Sequence, residues 1–147
     1  MTVALASALR YPDLTMLKPR VTPVLRMFDV SKALEFYVGF LGFEEKWRHQ
    51  FEPGLPLYVG VEREGVFLHL SEHFGDATPG SHLRIEVDDI DAFCLALCAK
   101  SYRNARPHVS EQPWGNREST IHDPFGNRIT FWTPTPAAVK RVESMAT

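Results

Sequence analysis

The chain has 147 residues, of which 44% are hydrophobic and 12% aromatic, enough for one domain with a substantial core. Its 16 basic and 18 acidic residues are well mixed and give a net charge of −2, without the basic stripe typical of nucleic-acid binders. No apolar run reaches membrane-spanning length, and Met1 to Ala8 lacks the basic and long apolar regions of a signal peptide, so we expect a cytoplasmic protein with no nucleic-acid or membrane partner.

The first half of the chain predicts an extension followed by one strand, one helix and three strands. Residues 1–20 show no clear period and are interpreted as an N-terminal extension. Asp29 or Ser31 is expected to cap a helix whose apolar residues recur at helical spacing, and Gly42 is expected to end it. The predicted strands are 21–28, 43–50, 56–63 and 66–71, the last two joined by the turn Glu64-Gly65.

The second half repeats this order after a polar loop at 72–80. The predicted elements are a strand at 81–87, a helix at 89–99, a short strand at 106–109, and a hairpin of strands 119–122 and 128–132. Residues 134–147 are interpreted as a C-terminal tail with a short helix around 137–143. The internal repeat matters because one such unit leaves a sheet face with nothing to cover it.

Two cysteines, Cys94 and Cys98, lie four residues apart within the second predicted helix and therefore on one of its faces. We interpret them as two small, buried apolar residues. A metal site or a redox pair is the less favoured alternative, because no Cys-x-x-Cys motif is present and no histidine lies nearby in the sequence.

The most informative segment is the C-terminal third of the chain. Asp123-Pro-Phe-Gly-Asn127 has the composition of a turn between two strands, and it is preceded by the loop Gln112-Pro-Trp-Gly-Asn-Arg-Glu118. This loop sets an aromatic ring and a charge pair beside a strand. The two motifs resemble those of the vicinal-oxygen-chelate superfamily, the glyoxalase and bleomycin-resistance fold, and within it the bleomycin-resistance-type proteins.

The resemblance covers residues 21–133 and implies an α+β fold of two βαβββ modules that form a curved mixed sheet around a cleft. Module one corresponds to about 21–71 and module two to about 81–133, in agreement with the order of elements read from periodicity. The resemblance also implies a homodimer in which both chains contribute to the cleft.

Metal-using members of this superfamily draw ligands from four strand positions, which correspond here to Thr22, His69, His82 and Thr130. Threonine is a poor ligand for zinc, nickel or iron, so we expect neither a metal nor another cofactor. An alternative site would use His69 and His82 with Glu86, which lies on the same side of its strand as His82.

The candidate ligand-binding residues each have a structural alternative. His69 and His82 alternate with apolar neighbours and lie either on a solvated sheet face or on a polar cavity wall. Trp114 either plugs the edge of the core or stacks on a flat ligand. Arg117 and Glu118 are expected to point to opposite faces, and Glu118 would then suit a cationic ligand. The predicted ligand-binding set is His69, His82, Glu86, Trp114, Arg117 and Glu118.

Three functions follow as hypotheses. The first, from the resemblance, is a metal-free, dimeric protein that sequesters a bleomycin-like, amphipathic or cationic compound and is not an enzyme. The second is a metal-dependent lyase or dioxygenase-like enzyme that uses His69 and His82. The third is a dimeric interaction domain without a small-molecule ligand, which a cleft filled by bulky core residues would favour.

Overall fold

The computed structural model describes residues 19–146, which form two successive modules of the same order. Module one contains strand β1, helix α1 with a π-helical continuation, and strands β2 to β4. Module two contains β5, α2 and strands β6 to β8, and helix α3 follows it. The bounds are β1 Val24–Arg26, α1 Val30–Leu34, π-helix Glu35–Phe40, β2 Glu44–Gln50, β3 Leu57–Arg63, β4 Val66–Ser71, β5 His82–Glu86, α2 Ile90–Cys98, β6 Ser110–Glu111, β7 Asn116–His122, β8 Arg128–Pro134 and α3 Pro136–Met145.

Each module forms a four-stranded mixed sheet, with the order β1-β4-β3-β2 in module one and β5-β8-β7-β6 in module two. In both sheets the first strand runs parallel to the last, and the other neighbours are antiparallel. Val24 pairs with His69 in module one, and Arg84 pairs with Thr130 in module two. The predicted α+β class and the two βαβββ modules are therefore confirmed.

Equivalent aspartates begin the helices of both modules. The Asp29 carboxylate accepts a hydrogen bond from the Lys32 backbone N–H at 2.9 Å, and the Asp89 carboxylate accepts one from the Ala92 N–H at 3.1 Å. Each bond satisfies one of the backbone donors that a helix leaves free at its first turn. The first helical segment ends before Gly42, which has a φ of +80° that a glycine adopts without strain.

One apolar core runs through both modules, so neither sheet is left uncovered on its helix-facing side. Phe40 of module one stacks on Tyr102 of module two at 4.7 Å, and Phe93 of α2 packs on Phe131 of β8 at 4.5 Å. The buried hydrophobic residues are Leu25, Met27, Ala33, Phe36, Tyr37, Phe40, Leu41, Phe43, Val59, Val61, Leu68, Leu70, Ile90, Cys94, Leu97, Ile121, Ile129 and Phe131.

A buried polar network links the modules at the turn before β8. The Asp123 carboxylate accepts hydrogen bonds from the Tyr37 hydroxyl at 2.7 Å and from the Asn127 side-chain amide at 2.8 Å. The same Asn127 amide donates to the backbone carbonyl of Arg26 at 3.0 Å. Burial, together with the neighbouring Asp123 carboxylate, raises the pKa of Tyr37 far above its ordinary value, so this phenol remains a donor.

Two local predictions are wrong. The strand expected at 106–109 lies instead at Ser110–Glu111, because Pro107 has no N–H to donate to a sheet. Of the two cysteines expected to be buried, Cys94 is buried, but Cys98, the last residue of α2, is exposed. The short helix expected around 137–143 in the tail is confirmed, and it spans Pro136–Met145.

The predicted N-terminal extension and the membrane prediction are tested only in part. Residues 1–18 lie outside the described part of the chain. Within residues 19–146, no helix is long and apolar enough to cross a membrane.

Candidate functional site

The sheet of module two presents a polar face on the side away from its helix. Along β5, Leu83 and Ile85 are partly buried and pack against the core, whereas the alternating residues are exposed. Directly opposed residues of neighbouring strands share a face, so the strand registers extend this polar set across β8 and β7. The module-two face consists of His82, Arg84, Glu86, Glu118, Thr120, His122, Arg128, Thr130 and Trp132.

His82 lies at the start of a hydrogen-bonded chain across this face. Its Nε2 lies 2.7 Å from the hydroxyl of Thr130, which lies 2.8 Å from the hydroxyl of Thr120. Partial burial and the nearby positive charges of Arg128 and Arg84 lower the pKa of His82. The imidazole is therefore uncharged near pH 7. One of its ring nitrogens takes no part in these hydrogen bonds with the threonines and can bind a ligand.

Glu118 is the most buried charged group of the face, with 6% of its surface exposed. Its carboxylate accepts hydrogen bonds from the Trp114 indole N–H at 2.9 Å, from the Asn116 amide at 3.4 Å, and from the Arg84 guanidinium. Burial acts to raise the pKa of Glu118, but the bonds from Arg84, Trp114 and Asn116 together outweigh it, and the pKa is lowered. Glu118 is therefore ionised, its charge is paired with Arg84, and it holds the indole of Trp114 in place.

Trp114 is held at the rim of this face with its ring open to solvent. The indole N–H is bound to Glu118, yet 59% of the side chain is exposed. Gly115, with a φ of +96°, follows it, and a Cβ at that position would lie 2.9 Å from the Cβ of Ala138 in α3. The turn is thus packed against α3, and Trp114 does not plug the core. Its exposed, oriented ring is suited to stacking on a flat group.

The sheet of module one carries an aromatic cluster on its corresponding face. The Trp47 ring stacks on Tyr58 at 5.7 Å and 7°, and His69 meets Trp47 edge-on at 4.9 Å. The Tyr58 hydroxyl lies 2.8 Å from Nδ1 of His69, whose pKa is lowered by burial. The module-one face is defined by Trp47, Tyr58, Gly60 and His69.

Gly60 makes this aromatic cluster possible. A Cβ on Gly60 would lie only 2.4 Å from Cε2 of Trp47, so the indole lies flat on the glycine backbone. Gly60 was not among the predicted site residues. A glycine inside a predicted strand was the available signal, because such a residue marks a close approach by another group.

The predicted site residues divide into four groups. Trp114 and Glu118 are in direct contact, and His82 lies on the same face, whereas His69 belongs to the face of module one. Glu86 lies at the far end of β5 and lines a crevice between the modules. Arg117 points to the opposite side of its sheet, as the alternation predicted, and binds Asp91 of α2 at 2.7 and 3.0 Å.

Arg84 contacts two residues of this face but was not among the predicted site residues, although it alternates with His82 on the same strand. Its guanidinium pairs with the Glu118 carboxylate and lies 5.8 Å from the ring of Trp132. Arg84 therefore joins β5 to β7 across β8.

The donor set for the alternative metal site does not fit. His82 and Glu86 are four residues apart on one strand, about 13 Å along it. His69 belongs to the other sheet, and its Nδ1 is bonded to Tyr58. Within residues 19–146, no three His, Cys, Asp or Glu residues are grouped so that they could hold a metal ion. Within one chain, these positions do not favour the alternative metal site of His69, His82 and Glu86.

Comparison with known proteins gives a consistent family and fold. The sequence matches the family described as "Glyoxalase superfamily protein" over residues 11–136. An antibiotic-binding protein from Streptomyces sp. CB03234 is 26% identical over 82% of this chain and 98% of its own, with a TM-score of 0.64. A bleomycin-binding protein from Streptomyces verticillus, in complex with copper(II)-bleomycin, is 32% identical over 79% of this chain and 97% of its own, with a TM-score of 0.57. No curated protein sequence matches the chain.

Proposed function

Because this chain belongs to the vicinal-oxygen-chelate superfamily of glyoxalase and bleomycin-resistance proteins, we propose that it is a binding protein that captures an amphipathic small molecule. Capture is stoichiometric, takes place in the cytoplasm and requires no metal. The ligand lies on the module-two face, where Trp114 stacks on its flat part and His82 and the threonine hydroxyls make hydrogen bonds.

The observation that carries this proposal is the state of Trp114. Trp114 is 59% exposed, and apolar surface in contact with water has a free-energy cost unless another molecule covers it. The exposed ring also has a fixed orientation, because the indole N–H is bonded to the buried, ionised Glu118. An oriented and uncovered aromatic ring beside hydrogen-bonding groups is the arrangement of a ligand site.

The charges of the face favour an amphipathic ligand over one recognised by its positive charge alone. Glu118 was expected to attract a cation, but its carboxylate is already paired with Arg84. Arg84 pairs with Glu118, and Arg128 lies opposite His82, so the part of the face near Trp114 and His82 has no excess of negative charge. Bleomycin, a large compound with flat and polar parts, is a reasonable first test ligand because the Streptomyces verticillus relative binds it.

We further propose that two chains pair and that the second chain closes the site. The exposed ring of Trp114 and the exposed residues His82 and Arg84 lie on an open face in one chain. A ligand on an open sheet would remain largely solvated, whereas a site between two copies would bury most of it. Sedimentation at micromolar concentration is expected to give the mass of two chains, and the mass of a single chain would refute the pairing.

The ligand proposal is tested by calorimetric titration of the protein with metal-free bleomycin. We expect saturable binding, which Trp114→Ala weakens by about tenfold, equivalent to the roughly 1.4 kcal/mol that a good aromatic contact contributes. Trp114→Phe keeps a ring but loses the bond to Glu118, so an intermediate loss is expected. The control is Phe74→Ala, which removes an even more exposed ring, 91% exposed, from the loop at 72–80.

The identity of the ligand and the location of its site are tested by different outcomes. Absence of heat at protein concentrations well above micromolar would rule out bleomycin as a ligand. Binding that Trp114→Ala and Phe74→Ala leave equally unchanged would show that the module-two face is not the site.

A further inference from the structure

A second concave site lies between the two modules, away from Trp114. It is a cleft of about 420 Å³ between the tip of the β3–β4 hairpin and the connection from β5 to α2. Its walls are largely apolar and come from both halves of the chain. The apolar lining residues are Leu41, Phe43, Val66, Ile85, Val87, Phe93 and Phe131.

The mouth of this cleft is acidic. Glu64, Glu86 and Asp88 line it, and none of the three carboxylates takes part in an ion pair within residues 19–146. Glu64 is fixed at the hairpin turn, where its φ is +49° and that of Gly65 is +82°. The carboxylates therefore lie at the β3–β4 turn and at the end of β5, at the opening of a cleft with apolar walls.

Arg63 lines the same cleft but forms no ion pair with these carboxylates within residues 19–146. Its guanidinium donates to the backbone carbonyl of Leu41 and lies 5.2 Å from the centre of the Phe93 ring. The arginine thus connects module one and α2 at the wall of the cleft. Three carboxylates and one guanidinium line the cleft, so it carries an excess of negative charge.

We propose that this inter-module cleft binds a small amphipathic amine, with the ammonium group between Glu86 and Asp88 and the apolar part against Val66, Ile85 and Phe93. The volume is within the range of small-molecule sites, about 300–1,000 Å³. An ammonium ion satisfies the carboxylates, and the apolar body gains free energy from leaving water. This cleft shares Glu86 with the module-two face but lies away from Trp114, and its occupation does not depend on a ligand at Trp114.

A neighbouring groove extends the space available to the apolar part. It has a volume of about 390 Å³ and shares Val66, Ile85 and Glu86 with the cleft. It follows β5, which is an edge strand of its sheet, toward Leu83 and Pro23. An amine with a longer apolar chain would reach from the cleft toward this groove, and its affinity is expected to rise with chain length.

The test uses three probes that share one apolar group and differ in charge: phenylpropylamine, phenylpropanol and phenylpropanoate. Binding to the full chain is followed by amide chemical-shift changes in NMR spectra. The amine is expected to shift the signals of Val66, Ile85, Val87 and Phe93 in a saturable way. The alcohol is expected to bind about fivefold more weakly, and the carboxylate not detectably.

Two variants and one control locate the binding. Glu86→Gln combined with Asp88→Asn alters only exposed side chains and is expected to remove the preference for the amine over the alcohol. Val66→Trp fills the cleft and is expected to abolish binding of both. The control Glu111→Gln removes an exposed carboxylate from β6 and is expected to have no effect.

Equal binding of the amine by the double variant and the unchanged protein would refute the proposal. So would shifts confined to Trp114 and its neighbours, because they would assign the amine to the other face. A failure of bleomycin to bind, by contrast, would leave the amine result unaffected and would overturn only the function proposed for the module-two face.

Discussion

Replacing Tyr37 with phenylalanine tests the buried link that fixes the two modules relative to each other. The Tyr37 hydroxyl is fully buried and donates to the Asp123 carboxylate at 2.7 Å. The replacement removes one oxygen atom and leaves the ring in its aromatic contacts with Phe36 and Phe43. Its effect therefore reports on the hydrogen bond.

The structure sets the size of this effect. A hydrogen bond to a charged group contributes about 1.5–3 kcal/mol. Asp123 retains three other donors, namely the backbone N–H groups of Phe125 and Asn127 at 2.8 and 2.9 Å and the Asn127 amide at 2.8 Å. Because the carboxylate stays satisfied, we expect the lower end, about 1.5 kcal/mol, which for a chain of this size lowers Tm by about 3–6 °C.

Thermal and urea unfolding measure this loss, and Tyr58→Phe is the matched control. The Tyr58 hydroxyl bonds to the imidazole of His69 at 2.8 Å, but it is only partly buried, so its removal is expected to cost less than about 1 kcal/mol. If Tyr37→Phe changed the free energy of unfolding no more than Tyr58→Phe, the assigned role of the Tyr37–Asp123 bond would be wrong.

Two further predictions concern the two faces. The pKa of Glu118 is lower in the folded protein than the unfolded value of about 4.3, so its contribution to stability is present above that pH and is lost as the pH falls through the folded pKa. Urea unfolding from pH 6 down to acid is therefore expected to show a loss of stability that Glu118→Gln reduces; an identical profile in the variant would contradict this. Gly60→Ala would place a Cβ 2.4 Å from the Trp47 ring and is expected to displace the indole from Tyr58, with a changed near-ultraviolet circular dichroism spectrum. The free energy of unfolding should change by less than about 1 kcal/mol, because the lost stacking is offset by the smaller entropy of the unfolded chain. An unaltered spectrum would show that Trp47 does not rest on Gly60.

The order of helices and strands could be predicted because it depends on local patterns. Helical spacing, the capping residues Asp29 and Asp89, and the turn at Asp123 each act over a few residues. The strand predicted at 106–109 was wrong because Pro107 has no backbone N–H to donate to a neighbouring strand.

The pairing of charges could not be predicted, because it depends on strand register across the sheet. Alternation along β7 separated Arg117 from Glu118 correctly, but it did not say which partners each would meet. Arg84 reaches Glu118 because both β5 and β7 flank β8, and Arg117 meets Asp91 because α2 covers the other side. Because of these contacts between residues distant in the sequence, Glu118 is paired with Arg84 and orients Trp114, and its negative charge is not free to bind a ligand.

The central claim is capture without turnover, and the most direct measurement is a mass balance with bleomycin. Protein is incubated with an excess of the metal-free compound for increasing times, the bound fraction is separated, and the compound is recovered by denaturation and weighed by mass spectrometry. We predict a bound amount that saturates in proportion to protein and does not grow with time, and a recovered compound of unchanged mass. Product that accumulates beyond the amount of protein, or the absence of any bound compound, would contradict the account.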